Sequence, residues 1–307
     1  MINAIVAFWV RTPPMLRGIG LMVGSTVLFA SMHAAIRYLS AELPPFQMAF
    51  FRSFFGLLVF LPIAWRTQFG FLKTDRLWLH GIRALLNVCA MLSFFTALAM
   101  TPIARVTALS FTSPIFMAVL SVVVLGERMR VRRWAATILG FLGALIIIRP
   151  GLAEIDQGSM LVLGSAAVWA VCMIVIKILG RTESSLAITG YANLLLSVMA
   201  FVPAVMVWKN PSLEAWGWLV FIGVVGTFGQ IAVAEALKQA EATAVMPFDF
   251  LKLLWAAAFG YIFFFEFPDF YTWVGAFVIF SSSMYIAYRE SRLNKAQRQA
   301  AASKKNK

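Results

Sequence analysis

The sequence predicts an all-α integral membrane protein, with ten transmembrane helices arranged as two inverted five-helix repeats. Three observations predict it. Hydrophobic residues make up 61% of the 307 positions and charged residues 13%, with a mean hydropathy of +0.84. An average soluble chain is roughly half apolar and a quarter charged. This chain has too little polar side chain to cover a water-facing surface, so lipid must be the solvent for most of it. Ten apolar runs each approach the 20 or so residues that a hydrocarbon core requires. The second half also echoes the first at shifts of 140 and 139 residues. A soluble enzyme, a disulfide-stapled secreted domain and a disordered chain are excluded at this step. Cys89 and Cys172 both sit inside apolar runs and suggest neither a disulfide framework nor a metal site.

In chain order, residues 1–16 hold an apolar stretch broken by Arg11, Pro13 and Pro14. It is too short to span and lacks a small-residue cleavage site, so it reads as an interfacial segment, not a signal peptide. The first repeat, 17–150, holds spans one to five at 17–39, 46–65, 78–99, 103–125 and 132–148. Only Thr101-Pro102 separates spans three and four, and only residues 126–130 separate four and five, which forces antiparallel hairpins. The second repeat, 151–288, holds spans six to ten at 158–179, 185–208, 215–236, 243–265 and 269–288. A basic tail, 289–307, closes the chain. Trp9, Trp65, Trp208, Trp216 and Trp218 fall near span edges and read as interface anchors.

Lys and Arg fix the expected orientation. With the N-terminus inside, cytoplasmic segments hold Arg11, Arg17, Arg66, Lys73, Arg76, Arg128, Arg130, Arg132, Arg133, Arg181 and Lys238, besides the basic tail. The opposite loops offer only span-end residues such as Arg37, Arg149 and Lys209. Both termini are therefore expected in the cytoplasm of a bacterial-type inner membrane. The net charge of +13 is then a retention signal that meets anionic lipid headgroups. The tail has no interleaved aromatics, so nucleic acid is not an expected partner.

The repeat carries the first functional inference. At a shift of 140, Leu21, Gly24, Ser25, Ala30, Ile36 and Leu39 meet identical residues in span six, and Arg37 meets Lys177. At 139, Glu127 meets Glu266, Trp134 meets Trp273, Phe141 meets Phe280 and Ile147 meets Ile286. Five spans per repeat is an odd number, so the second half enters the membrane from the other side. Inverted repeats of this kind recur in secondary transporters, whose halves exchange conformations to open first one face and then the other.

Several motifs carry a resemblance. They are Phe51-Arg52 in span two, the run 104–127 ending in Leu125-Gly126-Glu127, its partner 243–266, and the tract from Trp134 to Gly151 with its terminal Arg-Pro-Gly. Together the chain from about Arg17 to Arg289 resembles the EamA-type carriers of the drug/metabolite transporter superfamily. The resemblance implies a ten-helix fold with a central cavity lined by spans one, three, four, six, eight and nine. Phe51 to Phe55, Met246 to Leu251 and Phe265 to Asp269 are similar to bacterial S-adenosylmethionine uptake carriers. The second repeat departs from the pattern by ending in Phe265-Glu266, without the Gly that precedes Glu127.

Ionisable groups inside the spans are candidate functional residues because each costs at least a few kcal/mol at the bilayer centre. Lys177, Arg83 and Arg105 lie near span ends, where snorkelling accounts for them. Arg52 lies too deep for that and reads as a structural intramembrane charge bridging backbone carbonyls or an acidic partner. Asp249 and Lys252 are i and i+3 on one helix face, either a silent ion pair or one that substrate opens. Glu235 and Lys238 repeat that spacing at the inner end of span eight, as a binding site or a gate. His33 in span one is a candidate for coupling or packing. Phe248, Phe250, Trp169, Tyr191 and Trp255 are candidate cavity aromatics, and Phe29 is the repeat partner of Trp169. Pro114 and Pro247 are candidate hinges, while Gly20, Gly24, Gly223, Gly226 and Gly229 permit close helix approach.

The expected function is secondary transport of a small organic metabolite by alternating access. The resemblance points to S-adenosylmethionine or a similar zwitterionic or cationic solute. An exporter of amino acids or drugs and a riboflavin carrier remain alternatives, and a non-transporting scaffold or lipid flippase is the reading from another class. Enzyme motifs are lacking: there is no His-Glu-x-x-His, no Gly-x-Ser-x-Gly and no nucleotide-hydrolysing loop. No cofactor or metal is expected, and the chain would act as a monomer or homodimer.

Overall fold

The computed structural model describes residues 13–66, 74–125, 131–149, 156–179, 182–183, 185–239, 245 and 248–305. Among them every extended regular element is an α-helix: α1 (Pro14–Leu39), α2 (Pro45–Arg66), α3 (Leu77–Met100), α4 (Ile103–Ser110), α5 (Ser113–Leu125), α6 (Val131–Ile148), α7 (Gln157–Leu179), α8 (Ser185–Met206), α9 (Leu213–Gln239), α10 (Leu251–Phe264) and α11 (Phe270–Lys305). Six stretches are long and apolar enough to cross a bilayer, and four shorter apolar helices accompany them, consistent with ten spans. The expected interfacial segment falls mostly on residues 1–12, and the hinge Pro247 on 246–247; both lie outside the described residues.

Two elements differ from the sequence expectation. Span four is two helices, because α4 stops at Ser110 and α5 starts at Ser113. The chain tightens there: the Phe111 and Thr112 N–H groups donate to Ala108 and Leu109 carbonyls at 3.3 and 3.0 Å, and the Thr112 hydroxyl donates to Leu109 at 2.7 Å. The carbonyl that the break frees, Phe111 O, accepts the Ser283 hydroxyl of α11 at 3.0 Å. In lipid such a group must find a protein partner, so the break is tolerated where α11 supplies one. Pro114 stands in the first turn of α5, where its missing N–H costs nothing. Span ten also runs on: α11 continues through the basic tail to Lys305. The tail is rich in Ala, Lys, Arg and Gln, all strong helix formers, and no Pro or Gly stops it.

The helices pack across the two halves. α1 lies chiefly against α9 and α7 against α3; α2 pairs with α8 and α6 with α11; α10 rests on α1 and α4, while α7 also meets α4 and α5. Small residues fill these seams, among them buried Ala30, Ala34, Ala35, Ala84, Ala97 and Ala256. Backbones come close between α6 and α11, where a Cβ on Gly275 would stand 2.5 Å from Gly143 O. Polar side chains add links between helices: the Ser282 hydroxyl donates to Ala136 O across α6 and α11, and Ser165 of α7 donates to Ala90 O of α3 at 2.7 Å. Large apolar side chains point outward instead, including Leu139, Leu142, Val198, Phe201, Phe263 and Phe277. An apolar exterior with small residues at helix seams is what lipid as a solvent selects.

Candidate functional site

Span nine places its charges at a joint. Phe248 and Asp249 are helical, Phe250 is a turn residue, and α10 begins at Leu251. The Lys252 Nζ lies 3.1 and 3.2 Å from the two Asp249 carboxylate oxygens, so the i, i+3 pair is closed. Their side chains retain 16% and 22% exposure, partial access deep within the bundle. The same ammonium stands 5.7 Å from the Phe29 ring centroid on α1 and 5.3 Å from that of Phe111 at the span-four break. Phe250 in turn meets Phe111 at 5.7 Å and Phe280 of α11 at 4.2 Å. The two interrupted spans therefore touch at their interruptions. In transporters, half-helices at corresponding positions of two repeats are where substrates and ions are held.

His33 of α1 is 7% exposed, its ring tilted against Phe94 at 5.0 Å and its Nδ1 without a hydrogen-bond partner among the described residues. It lies within electrostatic range of both Lys252 and Arg52. Arg52 lacks the partner expected from the sequence: among the described residues its Nη1 meets only the Met91 sulfur, at 3.8 Å, with no carboxylate or carbonyl. Trp169 is half-buried, and Trp255 is half-buried with its Nε1 unpartnered among the described residues. Phe248 turns to a different cluster, packing on Met22, Ala236 and Val245. Tyr191 stacks on His80 of α3 at 4.5 Å. Glu235 accepts the Gln239 amide at 3.0 Å, and the Lys238 side chain lies outside the described residues.

Arg83 does not snorkel. It is 8% exposed and donates to Ile188 O of α8 at 2.7 Å, so a backbone carbonyl inside the bundle takes the guanidinium. Arg105 reaches Asp269 at 3.8 Å, alongside Arg149.

A second charged cluster, which the sequence did not mark as a site, stands at the end of the bundle where α1, α3 and α10 finish. Arg37 meets Glu266 Oε1 through Nη2 at 2.9 Å and Nε at 3.2 Å, and its Nη1 donates to the Leu98 and Ala99 carbonyls of α3. Glu266 Oε2 accepts the Ile103 N–H at 3.0 Å, at the N-terminus of α4, where the helix dipole favours an anion. Nearby, Asp156 caps α7 by accepting the Gly158 and Ser159 N–H groups at 3.1 and 3.2 Å, and it also accepts the Thr101 hydroxyl. Partial burial pushes the Asp156 carboxyl up, but the hydrogen bonds from Thr101, Ser159 and the two amides outweigh it and hold it below the usual carboxylate range.

Away from the Asp249–Lys252 pair, a crevice between α6 and α11 is lined by Ala135, Leu139, Phe277 and Tyr285. It is almost wholly apolar and suits a lipid chain, not a charged solute.

The EamA-like transporter family matches the chain twice, over residues 16–149 and 156–288. An S-adenosylmethionine uptake transporter of Rickettsia bellii is 30% identical over 275 residues, covering 90% of this chain and 94% of that protein. A riboflavin transporter of Brucella anthropi is 30% identical over 278 residues, covering 88% and 98%. One chain of known crystal structure superposes with a TM-score of 0.59 at 17% identity, covering 91% of this chain and 98% of its own, a likeness of fold alone.

Proposed function

The chain belongs to the EamA-like transporter family, and on that premise we propose that it imports S-adenosylmethionine, or a similar zwitterionic or cationic metabolite, by alternating access. It is a carrier and not an enzyme. The observation that carries the substrate reading is the closed Asp249–Lys252 pair at the joint of span nine, facing the break in span four. A substrate cation that displaces Lys252 satisfies Asp249, and the substrate carboxylate can take the freed ammonium, so a zwitterionic solute avoids the several kcal/mol that an uncompensated buried charge would cost. Arg52, with no carboxylate among the described residues, is free to share the substrate carboxylate. Trp169 offers a face for a nucleobase. S-adenosylmethionine bears a sulfonium, an ammonium, a carboxylate and an adenine, and so uses all three.

Alternating access rests on two inverted repeats, 17–150 and 151–288. The double family match supports the duplication. So does the packing under exchange of halves: α1 on α9 maps to α7 on α3. At the 139 shift, the Gly143–Gly275 approach maps to the Ser282–Ala136 hydrogen bond, and Phe111 and Phe250, which touch, map onto each other. The distribution of Lys and Arg supports an inner-membrane setting with both termini cytoplasmic.

The test is uptake of labelled S-adenosylmethionine into proteoliposomes holding the purified chain. Saturable uptake is expected, with S-adenosylhomocysteine, which lacks the sulfonium, a poor competitor and D249N at least about tenfold slower. Riboflavin is the second reading, favoured by the Brucella relative. It is uncharged and would leave the pair closed, so riboflavin uptake without S-adenosylmethionine uptake, unaffected by D249N, replaces the first reading with the second.

A further inference from the structure

We propose that Asp249, Phe29 and Phe111 form a cage for an onium group, and that the Lys252 ammonium occupies it as a tethered stand-in when no substrate is bound. The inference rests on the reading of Asp249 as a substrate-facing residue and adds the walls and the ligand class. One ammonium receives a carboxylate from span nine, a ring face from α1 and a second from the α4–α5 break. Three separate stretches of chain thus converge on one positive charge. Neutralising Asp249 would need only the i, i+3 lysine; two aromatic faces from other helices are surplus to that task. Both centroid distances fall within the roughly 6 Å over which a ring face attracts a cation.

The walls also select. Among the described residues, the hydrogen bonds of the Lys252 ammonium go to Asp249 alone, and ring faces offer poor acceptors to remaining N–H groups. A trialkylsulfonium or a quaternary ammonium has no N–H to satisfy, so it loses less than a primary ammonium on leaving water for this cage. The site therefore favours onium cations over primary amines, with Lys252 as the built-in competitor. Gly229 seats the Phe29 wall: a Cβ there would stand 3.2 to 3.3 Å from three atoms of the ring.

Tetramethylammonium is the probe. In the full-length purified chain, K252M is expected to bind it at least about tenfold more tightly than wild type, read by calorimetry. K252R should show no gain, because its guanidinium refills the cage. F29L and F111L, each combined with K252M, should remove most of the gain. A K252M protein that binds no tighter, or a gain that both leucine variants retain, overturns the cage. If K252M does not fold, the wild-type background serves: tetramethylammonium should inhibit S-adenosylmethionine uptake, and F29L and F111L should each raise the inhibitory concentration several-fold. Unchanged inhibition in both overturns it equally. A cage that gains tetramethylammonium in a chain that imports no S-adenosylmethionine keeps this inference and removes the substrate reading; the reverse pattern removes only the cage.

Discussion

Asp156 illustrates what one side chain can contribute outside the bilayer. It caps α7 with two backbone N–H groups and holds Thr101 of the preceding hairpin. Truncation by D156A should lower stability by about 0.5–2 kcal/mol, the usual range for a lost N-cap, measured as thermal unfolding in detergent. Its carboxyl is held below the usual range, so its contribution is fully present above the unfolded value near 3.8 and is lost as pH falls through the lower folded value. The wild type should therefore lose stability below about pH 4, and D156N should lose less over the same interval; equal losses would remove Asp156 as a source of acid sensitivity. Inside the bilayer, Asp249 and Lys252 were legible in the sequence because i, i+3 spacing alone puts them on one face. Phe29 and Phe111 were not legible as walls of their site, because each comes from another span and nothing local says which way a ring will turn.

At the level of elements, the break in span four is held by a cross-helix bond, not by proline alone. P114A should change stability little, since Pro114 sits in a first turn, whereas S283A strands the Phe111 carbonyl in a water-poor seam. The expected cost of S283A is about 1–3 kcal/mol, the range for an unsatisfied buried acceptor, and a cost no greater than that of P114A contradicts this account. The α6–α11 seam permits no side chain at Gly275, where a Cβ would press on the Gly143 carbonyl. G275V should therefore force the helices apart and destabilise by about 1–3 kcal/mol or more, checked by the same unfolding assay. The spans themselves were readable because hydrophobic length is a one-dimensional property. The interruption in span four was not: a Pro in the run marked the neighbourhood, but whether the helix stops depends on a hydroxyl 172 residues away.

For the whole molecule, the Arg37–Glu266 cluster joins α1, α3 and α4 of the first half to the end of α10 in the second. Such a bond must break if that end is to open while the halves rock against each other. E266Q should shift the population toward opening at this end. A cysteine at position 29, in a background with Cys89 and Cys172 replaced by Ser, should then react several-fold faster with an impermeant thiol reagent applied from the Glu266 side. An unaltered rate would show that Glu266 does not hold this end closed. Reporter fusions to the two termini bear on the repeat itself, since two odd-numbered units require both ends on one face of the membrane.

What the sequence determined by itself was lipid as the solvent and a chain of apolar helices, because composition and hydrophobic length need no folding to be read; the carrier family was legible in its motifs, and the family match bears it out. Tertiary structure decided which charges are paired and which stand alone. Arg52 was expected to find a partner and has only a thioether among the described residues, Arg83 turned inward to a carbonyl, and Arg37 and Glu266 met across 229 positions. The reason is dielectric: in lipid an ionisable side chain is governed by the nearest available counter-charge or backbone group, and that neighbour is set by packing between helices distant in the chain.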